Sequence, residues 1–372
     1  MPGKYMKKKP IIGLMSGTSN DGIDASLVFT DGKNITKTKF KSMTPYSKKT
    51  KYFLRQVNLD PHIFLKNTKS YNKLKNIITY EHIKVVKKLM QLSKIKPNLV
   101  GFHGQTIFHD PINKKSYQLG NPELLSKSLK LNVIYNFRQN DLKFGGEGAP
   151  ISPIYHKYLL KKLKFELPSI IINIGGISNL TYWDGDQLIA FDTGPGNNLM
   201  DFFMQNKFEM EFDDEGNFAS KGKIHFDFID FYIKDKYFNK TPPKSLERIT
   251  LFKNDCLKNI FLLKKNDCLA TLCALTAKSI EIGIKHLPKR PRNAVIVGGG
   301  QKNKFLINLI KKSRISDLIF TGEQIGLDSD FIEAELIAFL AARKIYNFPS
   351  TFPSTTGVQQ ETVLGELIEY KD

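Results

Sequence analysis

One pattern occurs twice in this chain, and it narrows the possible folds more than any other feature. Residues Ile11 to Phe29 run apolar, then small and polar through Ser16-Gly17-Thr18-Ser19-Asn20-Asp21-Gly22, then apolar again. Ser169 to Ile174, Gly175-Gly176-Ile177-Ser178-Asn179 and Leu180 to Trp183 repeat that order. Each copy reads as strand, glycine turn, strand. The second copy follows Leu167-Pro168, which reads as a break between domains. The expectation is an α/β protein with an N-terminal lobe over 1–165 and a C-terminal lobe over 166–372, each opening with such a hairpin. A turn of this kind can point backbone N–H groups at a phosphate, although Asn-Asp-Gly is also ordinary hairpin chemistry. No GxxxxGK[ST] sequence accompanies it.

Composition excludes several classes. Apolar residues make up 41% and charged residues 25% of the 372, an ordinary globular balance. The longest apolar runs have strand length, far below the roughly 18 residues of a membrane span. The lysine-bearing start is followed only by Ile11 to Met15 before polar residues resume, too short for a signal segment. Cys256, Cys268 and Cys273 show no CxxC spacing and no even count, so neither a metal nor a disulfide framework is expected and a reducing cytoplasm fits. A net charge of +20 would suit nucleic acid. The lysines, however, spread from Lys4 to Lys371 without a nucleic-acid motif. The expected partners are therefore small anionic ligands, not nucleic acid or membrane.

Chemistry-bearing residues gather where strands end. Leu99 to Phe102 reads as a short strand running into His103-Gly104-Gln105-Thr106. That histidine and amide are set to touch a substrate, although a lone histidine more often serves the core. Val133 to Tyr135 leads to Arg138, a candidate for an anionic group, and then to Gly145 to Pro150, either a ligand loop or a connector. Leu188 to Phe191 runs into Asp192-Thr193-Gly194-Pro195-Gly196-Asn197, with a helix expected from Asn197. Asp192 is thereby expected in a strand-to-helix turn, as a reactive carboxylate or as a cap. Ala294 to Val297 ends in Gly298-Gly299-Gly300, where a flat base can lie on backbone, or which is simply a tight turn. Asp21 and Asp24 can share a hydrated Mg²⁺. Glu333 stands near the start of a helix expected within Leu327 to Tyr346, facing a ligand or solvent.

Taken in order, these motifs resemble the anhydro-N-acetylmuramic acid kinases. The matching stretches are Gly13 to Asp24, His103 to Thr106, Gly145 to Pro150, Asn173 to Leu180, Asp192 to Asn197, Pro243-Lys244-Ser245, Gly298 to Gly300 and Thr362 to Gly365. The resemblance implies the two-lobed fold of actin, acetate kinase and sugar kinases, with a central cleft and a last helix able to pack back on the N-terminal lobe. It also implies a coupled reaction: water opens the 1,6-anhydro bridge at C1, and the freed O6 takes the γ-phosphoryl group of ATP. The product would be N-acetylmuramic acid 6-phosphate, in cell-wall recycling. Asp192 then corresponds to the general base. Gly17, Thr18, Ser19, Asn20, Asp21, Gly22, Ile23 and Asp24 would hold the ATP phosphates with Mg²⁺, flanked by Gly175 and Gly176, and Gly298, Gly299 and Gly300 would back the adenosine. His103, Gln105, Arg138, Gly196, Asn197 and Glu333 would serve the sugar, in a cytoplasmic homodimer.

The chain departs from the family pattern at Asn20, Asn136, Gln139, Asn140 and Glu147, and over Leu246-Glu247-Arg248-Ile249. Those changes bear on substrate grip more than on reaction class. The competing readings are a kinase of the same fold acting on another sugar or a carboxylate, and an actin-like ATPase switch.

Overall fold

The computed structural model describes residues 7–17, 20–59, 61–246, 251–252 and 256–371. The chain forms two compact units, one of Met1–Tyr158, Asp330–Pro353 and Val358–Asp372, the other of Leu159–Ser329 and Ser354–Gly357.

The first unit is built on a mixed sheet. β1 (Lys9–Ser16), β2 (Gly22–Thr30) and β3 (Ile35–Pro45) form an antiparallel meander, and β4 (Leu99–Asp110) and β6 (Asn132–Tyr135) continue from β1 in parallel. β5 (Lys115–Leu119) pairs with the far end of β4, and β12 (Glu366–Ile368) closes the edge beside β6. β3 alternates inward and outward side chains and carries Lys37, Lys39 and Lys41 on a sheet edge. Lysines there discourage pairing with another chain. The helix Thr68–Ser93 starts at Asn67, whose Oδ1 accepts from the Ser70 N–H at 3.0 Å, and buries Ile78, Val86 and Leu89.

The helix Ile332–Ile345 packs on β1, β2 and β4. Gly13 on β1 and Gly101 on β4 are register partners, and a Cβ on either would run into the backbone of that helix. The absence of side chains at these two points is what lets the helix lie directly on the sheet.

The second unit repeats the strand order. β7 (Ser169–Ile174), β8 (Ile177–Trp183) and β9 (Leu188–Pro195) form the antiparallel meander, and β10 (Asn293–Val297) and β11 (Leu318–Thr321) extend from β7 in parallel. The orders β9-β8-β7-β10-β11 and β3-β2-β1-β4-β6 therefore correspond strand for strand. The helix Lys265–Ile284 covers part of this sheet, with Cys268 and Cys273 both fully buried in its core.

Candidate active site

In the second unit, parallel topology brings three glycine turns to one edge of the sheet. β7 and β10 run parallel, and β9 runs in the same direction across the antiparallel β8, so Gly175-Gly176, Gly196-Asn197 and Gly298-Gly299-Gly300 all follow carboxyl ends. Ligands of open α/β sheets bind at such ends. The turns are tied together: the Asn197 N–H donates to the Gly175 carbonyl at 2.8 Å, the Gly196 N–H to Gly176 at 3.1 Å, and Asn197 Nδ2 to the Ile174 carbonyl at 3.3 Å. Gly298 adopts φ 80° before a short 3₁₀ turn, Gly299–Lys302, leads into the helix Lys304–Lys312.

Asp192 lies inside β9, because the strand runs on through Thr193, Gly194 and Pro195 and the helix begins only at Asn198. The expected turn is thus two or three residues later. Asp192 pairs in register with Asn179 and is 6% exposed. One carboxylate oxygen, Oδ2, accepts from the Leu246 N–H at 2.9 Å. That donor belongs to the main chain, so the bond is indifferent to the side chain at 246. The Asp192 N–H donates to the Lys244 carbonyl at 3.0 Å, and the Tyr237 hydroxyl donates to the Asp192 carbonyl at 2.6 Å.

In the first unit the loop after β1 is pinned at both ends. Gln105 Nε2 donates to the Gly17 carbonyl at 2.8 Å, and the Tyr46 N–H donates to the Asp21 carbonyl at 2.9 Å. Asp21 Oδ1 accepts from the Gly22 N–H at 2.9 Å, and Asn20 holds a left-handed φ of 59°. Thr18 and Ser19 lie outside the described residues.

Just before that loop sits a buried relay absent from the sequence expectations. Ser16 Oγ is 2.9 Å from His82 Nε2 and accepts from the Tyr46 hydroxyl at 2.9 Å. His82 Nδ1 lies 2.8 Å from the Ile78 carbonyl, so Nδ1 carries the proton and Nε2 accepts from Ser16. Burial pushes His82 down to about 4.

His103 and Arg138 are brought into direct contact. Arg138 Nε donates to His103 Nε2 at 3.2 Å and Nη1 to the Gly148 carbonyl at 2.8 Å. His103 Nδ1 faces the Gly104 carbonyl at 2.9 Å, which fixes the neutral tautomer with Nδ1 as donor. Burial first, and the Arg138 charge second, push His103 down to about 3. His103 lines a cavity of about 300 Å³ with Phe102, Tyr117, Gln118, Tyr135, Asn136 and Gln139. At its rim Tyr135 and Asn136 both donate to the Glu366 carboxylate at 2.9 Å. Glu333 occupies the second position of the helix Ile332–Ile345 and is half-buried.

Several buried polar atoms beside these turns have no hydrogen-bond partner among the described residues. Asn20 Oδ1 and Gln105 Oε1 flank the first loop, and Ser178 Oγ, Asn179 Oδ1 and Asn198 Nδ2 belong to the second unit's turn region. Native proteins pair more than nine-tenths of such groups. The orphans beside these glycine turns fit a polar ligand that completes them.

Glycine turns at the carboxyl ends of parallel strands, unsatisfied polar atoms around them and a fixed buried carboxylate define an α/β enzyme of the phosphate-handling class. Residues 9–370 match the family model Anhydro-N-acetylmuramic acid kinase, and the chain belongs to that family. A relative of that name from Bradyrhizobium diazoefficiens is 37% identical over 93% of this chain and 95% of its own length. Another, from Zymomonas mobilis, is 35% identical over 96% and 98%. A solved ROK family glucokinase from Streptomyces griseus, in complex with glucose and AMPPNP, is 10% identical with a TM-score of 0.40 over 89% of this chain and 98% of that one. That likeness is too slight to bear on the assignment.

Proposed function

We propose that this chain phosphorylates 1,6-anhydro-N-acetylmuramic acid with ATP and opens its anhydro ring in the same reaction. Family membership supports the substrate and the kinase chemistry. The observation that carries the mechanism is Asp192, a buried carboxylate held at one oxygen and at both backbone groups.

In this reading Asp192 takes a proton from water as the water attacks C1. The C1–O6 bond breaks, and O6 accepts the γ-phosphoryl group. A positioned base of this kind contributes about 10²- to 10⁴-fold. Gly17, Asn20, Asp21, Gly22, Ile23 and Asp24, with Gly175 and Gly176, cradle the phosphates; Gly298, Gly299 and Gly300 back the adenosine. The orphaned Asn20 and Gln105 oxygens suit hydrated cations or hydroxyls, and Asn198 Nδ2 suits a phosphate oxygen. Asp21 and Asp24 would hold Mg²⁺ with the ATP phosphates, and the bound metal would neutralise charge on the transferred group. His103, Gln105, Arg138, Gly196, Asn197 and Glu333 orient the sugar. The neutral His103 is a hydrogen-bonding group here, not an acid. Dependence on ATP is consistent with a cytoplasmic enzyme, and we extend the proposal to a homodimer.

The test incubates the protein with Mg-ATP and the anhydro sugar. Sugar-dependent ADP together with a reducing sugar phosphate is expected. ADP release that ignores the sugar would overturn the reading in favour of an ATPase switch.

A further inference from the structure

Beside Asp192 the chain buries a cation that the reaction above does not use. Lys244 is 2% exposed, although lysine is among the residues least often buried. Its ammonium donates to the carbonyls of Tyr237 at 3.0 Å and Phe238 at 3.3 Å. It also lies 4.8 Å from the centre of the Tyr237 ring and 5.8 Å from that of Phe191, the residue before Asp192.

These contacts lead back to Asp192. The Tyr237 hydroxyl donates to its carbonyl, its N–H donates to the Lys244 carbonyl, and the N–H of Leu246 donates to its carboxylate. A closed circuit thus runs from Lys244 Nζ through Tyr237 to Asp192 and back along residues 244–246. Cutting it at the ammonium would leave the Tyr237 carbonyl to the Lys240 N–H and the Phe238 carbonyl to His286 Nε2, and would untie from both of them the segment that aims the carboxylate.

We propose that Lys244 is a positioning residue whose ammonium holds Tyr237 and residues 244–246 in the arrangement that aims the Asp192 carboxylate. This rests on the reading of Asp192 as the base. Bonds from a charged donor are stronger than those of the neutral amine, so the circuit weakens when Lys244 loses its proton. Burial, with a smaller push from Lys240, brings that proton loss to about pH 8. Among the described residues, the titratable and charged groups around it are Tyr237 on the helix Lys236–Asn239, Lys240 just beyond, Asp192 on β9, and His286, whose Nε2 shares the Phe238 carbonyl at 3.0 Å.

The experiment measures kcat and both KM values from pH 6 to 9.5 for the wild type, Lys244→Met, Tyr237→Phe and Asp192→Asn. Wild-type kcat is expected to fall above about pH 8. Lys244→Met should lower kcat at pH 7 by about tenfold or more, the value of one strong hydrogen bond, leave the ATP KM unmoved, and lack the alkaline fall. Tyr237→Phe should lower kcat yet keep that fall, and it decides the matter if Lys244→Met does not fold. A wild-type profile flat to pH 9.5, an unchanged kcat in Tyr237→Phe, or wild-type kcat in folded Lys244→Met would overturn the proposal. Turnover retained by Asp192→Asn would instead overturn the base assignment, so the two failures are distinguishable.

Discussion

Gly13 and Gly101 sit opposite each other in the parallel register of β1 and β4, and together they form the floor on which the helix Ile332–Ile345 rests. A Cβ at Gly13 would meet the Ala334 carbonyl and come within 2.6 Å of the Ala338 nitrogen, both backbone atoms. Gly13→Ala should therefore cost about 1–3 kcal/mol through overpacking, read as a lower urea midpoint. Gly175→Ala is the control. There an added Cβ meets only the Ile177 carbonyl at 3.7 Å, and stability should stay within about 0.5 kcal/mol.

Asp192→Asn keeps the size of the side chain and its acceptor oxygen while removing the basicity. ATP binding by calorimetry should persist, and turnover should fall about 10²- to 10⁴-fold. Unchanged turnover would exclude Asp192 as the base.

The Ser16 relay separates two substitutions that look alike. Tyr46→Phe removes one donor and leaves the Ser16 to His82 bond in place, a cost of about 1 kcal/mol. Ser16→Ala strands both the Tyr46 hydroxyl and His82 Nε2 in the interior, at about 1–3 kcal/mol for each orphan. Ser16→Ala should thus be the more destabilising, and if the adjoining loop holds ATP phosphates it should also raise the ATP KM.

Arg138→Lys should not rescue Arg138→Ala. Only a guanidinium reaches His103 Nε2 and the Gly148 carbonyl from one plane. Both variants should raise the KM for the sugar more than that for ATP, and equal KM values in the lysine variant and the wild type would remove Arg138 from the sugar side.

Acid should unfold the protein by way of its buried histidines. His82, His103 and His156 are each 3% exposed or less and are held neutral by burial, at about 4, 3 and 3. A histidine lowered from its unfolded value of 6.5 gives stability that is complete above 6.5 and lost as the pH falls through the folded value. Between those limits each contributes a slope of about 1.4 kcal/mol per pH unit. Urea midpoints taken from pH 7 to 5 should drop accordingly, and His156→Gln should reduce the slope by about one proton.

What the sequence revealed follows from which signals are local. The doubled hairpin is visible because apolar alternation and glycine turns are written within a few residues, and the equivalent strand orders follow from it. Asp192 is visible as a carboxylate near a turn, but Thr193-Gly194-Pro195 has turn composition and is in fact strand. Proline is tolerated there because β9 is an edge strand. β3 was hidden by its lysines and by a register shift in its pairing with β2, which leave Ile35 as its one fully buried side chain. Lys244 stands in the sequence only as the middle of a short matching stretch, with nothing in it to indicate burial. Its burial depends on carbonyls of Tyr237 and Phe238, presented by the helix Lys236–Asn239, and no spacing rule announces such a meeting. The motif Pro243-Lys244-Ser245 was the available clue.

The floor made by Gly13 and Gly101 has a consequence for how the polypeptide comes into being. The helix that covers it is drawn from residues on the far side of the whole second unit. During synthesis β1, β2 and β4 leave the ribosome long before their cover does, while the second unit has all but Ser354–Gly357 of its residues in one unbroken run. The earlier-made sheet must therefore wait for the late-made helix Ile332–Ile345 before the face over Gly13 and Gly101 is covered, an interval in which exposed apolar surface favours aggregation.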